Sequence, residues 1–235
     1  HLDGEFDYLI PDDLSAVVDV GIRVQVPFNG RDVEAIILSR AQESVQGGLK
    51  SISKVLSPVS VATTRSLELI AQVAARWSAH PYDILRSAIP PRVASIDKLS
   101  WLDATYNNFK KQKVRRYIQL PPYQLQTQAV ADHINSLKGI GSLLIIAPDS
   151  RTVVALTEAI PDSIVLDSDL SREDRYRNFL TARYGSNLIV IGTRSAVFAP
   201  IADLETIVVL DEGSQHHYEV RSPGWNVRDV AIARS

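Results

Sequence analysis

The sequence has 235 residues and a formal net charge of -2, with 45% hydrophobic and 22% charged residues. These values are typical of a folded protein of one or two domains and exclude a disordered tail or a coiled coil. The chain has no cysteine, which excludes disulfides, thiolate catalysis and Cys-ligated zinc within it, and no apolar run approaches the ~20 residues that a membrane span needs.

The first part of the chain predicts a small β-rich domain, residues 1–95, closed by helices. Asn29-Gly30 between two β-rich runs is the strongest short hairpin signal. Thr63 or Thr64 can cap a first helix, and a second short helix ends before Pro90. The predicted strands are Phe6–Ile10, Arg23–Phe28, Val33–Ala41 and Ser51–Leu56, and the second helix is Tyr82–Ala88.

Residues 96–120 are polar and basic, without a clear period, and predict a linker. The stretch from Arg76 to Arg116 holds nine basic and three acidic residues, with aromatic residues between them. Such a segment either binds nucleic-acid phosphates and bases or is a solvated connector, and the sequence leaves both open. The candidates for DNA backbone contacts here are Lys110, Lys111, Arg115 and Arg116.

The remaining residues, 121–235, alternate helical patterns with short apolar runs. Such runs indicate strands that are buried on both faces, which predicts a parallel α/β sheet. The predicted helices are Tyr123–Leu137, Thr152–Ile160, Arg172–Thr181 and a last one from Asn226. The predicted strands are Ser142–Ala147, Ser163–Leu166, Asn187–Gly192 and Glu205–Leu210.

Two of these strands run into polar residues. Ile207–Leu210 is followed by Asp211 and Glu212, a pair that holds Mg²⁺ and orients water in phosphate-loop NTPases, although apolar strands ending in acids are also common in purely structural roles. Ile189–Gly192 is followed by three residues that can meet a phosphodiester, namely Thr193, Arg194 and Ser195.

His216-His217 has no matching third ligand, and we expect an ordinary polar loop rather than a metal site. We also expect the chain to be a piece of a longer protein, because it contains no methionine and stops at Ser235 within a helix-like segment.

Segments from both halves resemble one protein family. One set of segments resembles the first motor lobe of the PriA family, the primosomal protein N′ of bacterial replication restart. These segments are Ile189–Phe198 and Ile207–Glu212, followed by Trp225, Arg228 and Asp229. A second set resembles the N-terminal domain of the same family, namely Phe6–Pro11, Arg23–Phe28, Leu49–Lys50 and Ala88–Pro90.

The resemblance implies a superfamily-2 helicase, cytoplasmic and nucleoid-associated, that binds forked or single-stranded and duplex DNA. It also implies partners, namely primosome proteins and proteins that load the replicative helicase. The family's N-terminal domain captures a DNA 3′ end with a Phe-Asp pair, a loop glycine and a lysine. These match Phe6, Asp7, Gly30 and Lys50, with Asn29 as the alternative to Gly30.

The motor departs from the family pattern. No Gly-x-x-x-x-Gly-Lys-Ser/Thr phosphate loop occurs, and the family's Asp-Glu-Glu-His is replaced by 211–214, Asp-Glu-Gly-Ser. Asp211 and Glu212 are then relics of a catalytic pair. We expect no cofactor in this chain, although the family uses ATP with Mg²⁺ and a structural zinc in a region beyond Ser235. Pro148-Asp149 still resembles the family's Pro-Glu at a DNA-facing loop.

The sequence therefore predicts an α/β multidomain protein. A β-rich DNA 3′-end-binding domain precedes a RecA-like (P-loop NTPase-like) lobe, residues 121–235. The protein resembles degenerate actinobacterial members of the family that lack the phosphate loop. We expect it to bind forked DNA for replication restart and primosome assembly without helicase activity. One alternative is an active ATP-dependent 3′–5′ DNA helicase whose phosphate loop lies in a segment that this sequence lacks. Another is a protein-interaction scaffold without DNA binding.

Overall fold

The computed structural model of the chain describes residues 5–103, 114–120, 126–137, 139 and 141–235. Within these ranges the protein is mixed α/β. A small β-rich part comes first, three helices follow it, and a four-stranded parallel sheet with its own helices forms the second half.

The β-rich part contains a three-stranded antiparallel sheet and a separate parallel pair. The strands are β1 (Tyr8–Leu9), β2 (Arg23–Phe28), β3 (Arg31–Ile36), β4 (Lys50–Ser51) and β5 (Lys54–Ser57). The antiparallel order is β3-β2-β5, and β1 pairs with β4. Asn29 and Gly30 both have positive φ and join β2 to β3, as the hairpin signal predicted.

Three predicted strands of this part have other bounds. Phe6–Ile10 and Val33–Ala41 are shorter in the structure, at Tyr8–Leu9 and Arg31–Ile36. The predicted strand Ser51–Leu56 is divided into β4 and β5, because Ile52 bonds to β1 whereas Ser53 bonds to β2. The apolar side chains that this arrangement buries are Val18, Ile22, Val24, Val26 and Ile52.

Three helices follow, α1 (Thr64–Arg76), α2 (Pro81–Ala88) and α3 (Ala94–Asp97). Thr63 begins α1 with a capping box, since its hydroxyl accepts from the Ser66 N–H and the Ser66 hydroxyl accepts from the Thr63 N–H. His80 caps α2 through its ring nitrogen. The two helices predicted here are confirmed.

The second half consists of parallel strands in the order β7-β8-β6-β9. The strands are β6 (Ser142–Ile146), β7 (Ile164–Leu166), β8 (Ile189–Gly192) and β9 (Leu204–Val209), and the helices are α4 (Gln126–Ser136), α5 (Ser150–Ala159), α6 (Arg172–Tyr184) and α7 (Val227–Arg234). The predicted alternation of buried strands and helices is confirmed. It holds because β6 and β8 are buried on both faces, with one cluster of apolar side chains on each side.

One face of this sheet also covers the helices of the first half. Leu69, Ile70 and Val73 of α1 belong to the same buried cluster as Leu144 and Val190 of the sheet. The domain limits 1–95, 96–120 and 121–235 stay predictions, but the packing across residue 95 is extensive, so the helices closing the β-rich part are also a layer of the α/β part.

The start of the predicted linker is packed rather than solvated. Ile96 and Asp97 are buried, and the Tyr176 hydroxyl of α6 donates to Asp97 Oδ1 at 2.8 Å. Arg92 pairs with the other carboxylate oxygen of Asp97. The sequence predicted a polar connector here because the partner of Asp97, Tyr176, is 79 positions away, and composition alone does not reveal such a contact.

Three further interactions hold the first half together and connect it to α6. Arg23 of β2, nearly fully buried, pairs with Glu34 of β3 and donates to the Pro90 carbonyl oxygen at 2.8 Å. The Tyr184 hydroxyl of α6 accepts from the Ser60 N–H at 2.9 Å. Among the residues that the structure describes, no helix is both long and apolar enough to cross a bilayer.

Gly21 occupies a crowded junction, and we predict that Gly21→Ala destabilises the fold. Its N–H donates to Ile37 and its carbonyl accepts from Val61, at a φ of 82°. A Cβ there would overlap the Ala62 carbonyl oxygen and the Ser60 hydroxyl. The strained backbone alone costs about 1–3 kcal/mol, and the overlap adds to it.

The measurement is the free energy of unfolding by urea. Gly30→Ala is the matched control, since Gly30 has a φ of 76° but no atom within 4 Å of the added Cβ, so it loses only the ~1–2 kcal/mol of left-handed strain. Equal losses in the two variants would contradict the crowding at Gly21.

Tyr176 generates a prediction about alkaline stability. Burial, and then its hydrogen bond to Asp97, raise the pKa of the Tyr176 phenol far above its usual value of 10. The unfolded chain therefore ionises this group first, so its contribution to stability is complete below pH 10 and is lost as pH rises beyond it. Tyr176→Phe should cost about 1–3 kcal/mol at pH 8 by leaving the buried Asp97 one donor short.

The variant should also flatten the loss of unfolding free energy above pH 10, by up to about 1.4 kcal/mol per pH unit. Tyr117→Phe is the control, because Tyr117 is 78% exposed. Urea unfolding at pH 8, 10 and 10.5 measures both effects, and parallel pH profiles for Tyr176→Phe and the unmodified chain would refute the assignment.

Candidate nucleic-acid interface

The residues before β1 carry an aromatic ring at the edge of the β-rich part. The Phe6 ring packs edge-on against Phe28, with 5.0 Å between centroids and 70° between planes. Phe28 is the last residue of β2, beside the Asn29-Gly30 turn. Phe6 remains 47% exposed, so part of its ring is open to a ligand while the rest is held by the hairpin.

Asp7, the next residue in the chain, carries a carboxylate. The side chain is exposed, and its Oδ2 accepts a hydrogen bond from the Ser44 hydroxyl in the loop between β3 and β4. Tyr8 begins β1, and its hydroxyl donates to the Pro27 carbonyl oxygen at 3.3 Å. Burial raises the pKa of the Tyr8 phenol, and its hydrogen bond to Pro27 ties β1 to β2.

Lys50 and Gly30 complete the predicted set. Lys50 lies directly opposite Tyr8 in the parallel β1–β4 pair, and Tyr8 is the residue that follows Asp7. Gly30 belongs to the turn that also carries Phe28. The β1–β4 pairing thus brings the backbone of residues 6–8 close to Lys50, and the contact between Phe6 and Phe28 brings Phe6 close to the Gly30 turn, at one rim of the β-rich part. Their role in binding DNA stays a prediction.

Three other residues at this rim were not predicted. Phe28 supports Phe6, Ser44 contacts Asp7, and Arg31 pairs with Phe28 across the hairpin and is exposed. The hairpin register would have indicated Arg31, because residues paired across antiparallel strands share a face. Nothing local indicates Ser44, which is 37 positions from Asp7.

The second candidate region is the carboxyl edge of the parallel sheet, where Asp149, Asp167, Thr193 and Asp211 follow four neighbouring strands. Asp149 caps α5 by accepting from the Thr152 N–H at 2.8 Å, which is the main reason that its pKa lies below the usual value. The carboxylate that resembles the family's Pro-Glu is therefore already engaged in starting a helix.

Arg194 is likewise engaged within the chain. Its Nη1 donates to the carbonyl oxygens of His216 at 3.2 Å and Tyr218 at 2.6 Å, and its Nη2 lies 3.2 Å from the Glu219 carboxylate. A DNA phosphate would therefore compete with the Glu219 carboxylate for this guanidinium. Ser195 lines a cavity of about 20 Å³ with Ser87 and other residues of α2 and α6, and the Thr193 side chain forms no hydrogen bond with any described residue.

Asp211 and Glu212 separate in the structure. Asp211 is exposed, at a φ of 45°, whereas Glu212 lies 3.2 Å from the Arg228 guanidinium. The adjacent Asp229, and then Glu212, raise the pKa of Arg228. Among the residues that the structure describes, the Asp211 carboxylate thus has no cationic partner, whereas Glu212 is paired with Arg228.

The histidines of the following loop take structural positions. His217 is fully buried, with its Nε2 2.7 Å from the Leu210 carbonyl oxygen, and His216 is exposed. Within the described ranges no three His, Asp or Glu side chains group in a way that could hold a metal ion.

The predicted basic contacts lie partly within the described residues. Arg115 and Arg116 are exposed in the extended segment 114–120, which lines a broad cleft with α1 and β9. Lys110 and Lys111 lie outside the described residues. The basic segment is therefore not part of the Phe6–Asp7 rim in the residues described, and its role in DNA binding stays a prediction.

The sequence is similar to known proteins along its whole length. Residues 1–90 match the family model described as the 3′DNA-binding domain (3′BD) of PriA. The probable replication restart protein PriA of Mycobacterium tuberculosis (strain H37Rv) is 33% identical over 267 residues, which cover 100% of this chain and 40% of the relative.

Two further relatives agree. The probable replication restart protein PriA of Mycobacterium leprae is 29% identical over 270 residues, with 100% of this chain and 41% of the relative covered. The replication restart protein PriA of Rickettsia conorii is 25% identical, with 97% and 38% covered. The chain spans about 40% of the length of the mycobacterial relatives. The relatives matched along the whole chain and the domain model matched by residues 1–90 are all PriA proteins, so the comparisons support placing this chain in the PriA family.

Proposed function

We propose that this chain is the DNA-end-binding portion of a replication restart protein and that it captures the free 3′ end of a DNA strand at a fork. The observation that carries the proposal is that a half-exposed aromatic ring, Phe6, precedes an exposed carboxylate, Asp7, in a segment whose next residue pairs with Lys50 across two parallel strands. The match of residues 1–90 to a 3′DNA-binding domain supports it.

Each of these groups suits one part of a strand terminus. The exposed part of the Phe6 ring can stack on the terminal base. The Asp7 carboxylate accepts a hydrogen bond from the 3′-hydroxyl, and Lys50 pairs with a backbone phosphate. A 3′-phosphate in place of the hydroxyl would bring two like charges together, so the same carboxylate rejects it.

The parallel sheet would then serve as a RecA-like platform for duplex DNA and for primosome proteins, including those that load the replicative helicase. The order of its strands and the polar residues at its carboxyl edge are compatible with this role. Arg115 and Arg116 supply exposed positive charge for the DNA backbone.

ATP with Mg²⁺, which the family would imply, does not fit the residues present. The sequence has no phosphate loop, and Glu212, which would orient water, is paired with Arg228. Asp211 alone, on an exposed turn, is too little to hold a nucleotide-bound metal ion. We therefore propose that the portion of the protein in this chain does not hydrolyse ATP.

One observation favours a second candidate, an ATP-dependent helicase. The alignment with the tuberculosis relative extends over 267 residues, more than the 235 of this chain, so the relative has positions without a counterpart here. A phosphate loop among such positions in the full protein would restore a motor.

We predict that the chain binds a fork with a 3′-hydroxyl at the leading-strand end at least about tenfold more tightly than the same fork with a 3′-phosphate. The hydrogen bond to a charged carboxylate is worth about 1.5–3 kcal/mol, and the phosphate removes it and adds repulsion. Fluorescence anisotropy with labelled forks at several salt concentrations measures the difference.

Asp7→Ala should remove this preference, whereas Asp13→Ala, the loss of another exposed carboxylate in the same part, should leave it unchanged. Affinity for either fork should fall steeply with salt, because phosphate contacts release counterions. Equal affinity for both ends would overturn the end-binding proposal, and undetectable fork binding at low salt would favour a protein-interaction scaffold.

We also predict that the chain does not bind ATP with Mg²⁺ at millimolar concentration, as judged by isothermal titration calorimetry. Asp211→Asn should therefore leave the heat measured on titration with ATP and Mg²⁺ unchanged. Micromolar affinity that Asp211→Asn abolishes would contradict the proposal and support the helicase candidate.

A further inference from the structure

Ser44, in the loop between β3 and β4, is the described residue that contacts the predicted 3′-hydroxyl acceptor. Its hydroxyl donates to Asp7 Oδ2 and at the same time accepts from the Gln46 N–H at 3.0 Å. Because the Gln46 N–H occupies one side of the Ser44 oxygen, the hydroxyl hydrogen is directed to the carboxylate. Two bonds thus fix the direction in which Ser44 donates.

The contact leaves the other half of the carboxylate open. A carboxylate offers two oxygens and about four acceptor positions. Oδ1 of Asp7 accepts no hydrogen bond from any residue in the described ranges, and the side chain is exposed. Ser44 therefore restrains the rotation of the Asp7 carboxylate while Oδ1 remains available to a donor from outside.

Restraint of this kind raises affinity for a ligand donor. A free carboxylate on an exposed strand end samples several rotamers, and a ligand that needs one of them loses affinity by ordering it. A carboxylate already held by a neighbouring hydroxyl has less freedom to lose. The benefit is confined to ligands that bond to Oδ1.

The loop that carries Ser44 also leads directly into Lys50. Lys50 is the first residue of β4 and lies opposite Tyr8. The hydrogen bond from Ser44 to Asp7 therefore attaches the loop to the start of β1 six residues before Lys50. The same segment therefore restrains the Asp7 carboxylate through Ser44 and carries Lys50.

We propose that Ser44 is a positioning residue of the DNA 3′-end site, which holds the Asp7 carboxylate so that Oδ1 accepts the terminal 3′-hydroxyl. The inference rests on the proposed function of the Phe6–Asp7 rim. It assigns the specificity for a hydroxyl terminus to a pair of residues, Asp7 as the acceptor and Ser44 as its support.

The test compares forks that end in a 3′-hydroxyl with forks that end in a 3′-deoxy (dideoxy) nucleotide, so that no added charge confuses the result. Ser44→Ala should reduce the preference for the hydroxyl end by about three- to tenfold. Ser44→Thr keeps the hydroxyl and should retain the preference. Affinity for the dideoxy fork should be the same in all three proteins.

Ser53→Ala is the matched control. The Ser53 hydroxyl also donates to an aspartate, Asp32 Oδ1 at 3.4 Å, in the same part of the chain, but it does not touch Asp7. Ser53→Ala should leave the ratio of the two affinities unchanged. Melting temperatures of the variants verify that a changed ratio is not the result of unfolding.

The outcomes separate the two proposals. If the unmodified chain binds both forks equally, the end-binding function fails and the role of Ser44 fails with it. If the unmodified chain prefers the hydroxyl and Asp7→Ala abolishes the preference, but Ser44→Ala retains it in full, the function stands and the positioning role of Ser44 is overturned. Loss of the preference in Ser44→Ala with its return in Ser44→Thr supports both.

Discussion

A buried carboxylate fixes how the two halves of the chain meet. Asp97 is 8% exposed and has both oxygens bonded, one to the Tyr176 hydroxyl and one to Arg92. A carboxylate out of water without partners is costly, so packings of α3 that do not bring Asp97 to α6 are disfavoured. Apolar burial supplies most of the attraction, since α1 shares its cluster with the sheet, but it is not directional. The hydrogen bonds select one arrangement among the many that would bury the same surface.

Local sequence signals predicted the elements whose cause is local. The hairpin turn at Asn29-Gly30 needs left-handed backbone, and apolar runs such as Leu143–Ile146 need cover on both faces, so both were visible in the sequence. Elements defined by distant contacts were not. The strand predicted at Ser51–Leu56 is divided because its two ends pair with different partners. Asp97 was assigned to a linker on composition, which does not reveal a partner on α6.

The same distinction applies to the candidate site. Phe6, Asp7 and Lys50 were reached through resemblance to a family, not through spacing, because no local pattern connects residues 6–7 with residue 50. The structure adds the reason for their proximity, which is the parallel pairing of β1 with β4. Ser44 escaped prediction since a serine in a polar loop is unremarkable until its partner is known. At the sheet edge, Arg194 has the expected residue type, but its guanidinium is bonded to the loop that follows Asp211.

Arg23 has a consequence for how such a protein can change over evolutionary time. Its side chain joins Glu34 on the neighbouring strand to the Pro90 carbonyl oxygen, just before the segment that carries Asp97. A substitution at position 23 would leave Glu34 without its cation and the Pro90 carbonyl without its donor. Substitutions in the hairpin therefore affect the segment that leads into the α/β part. Homologous sequences should show positions 23 and 34 varying as a pair. They should also keep an acid at position 97 wherever they keep a tyrosine at position 176.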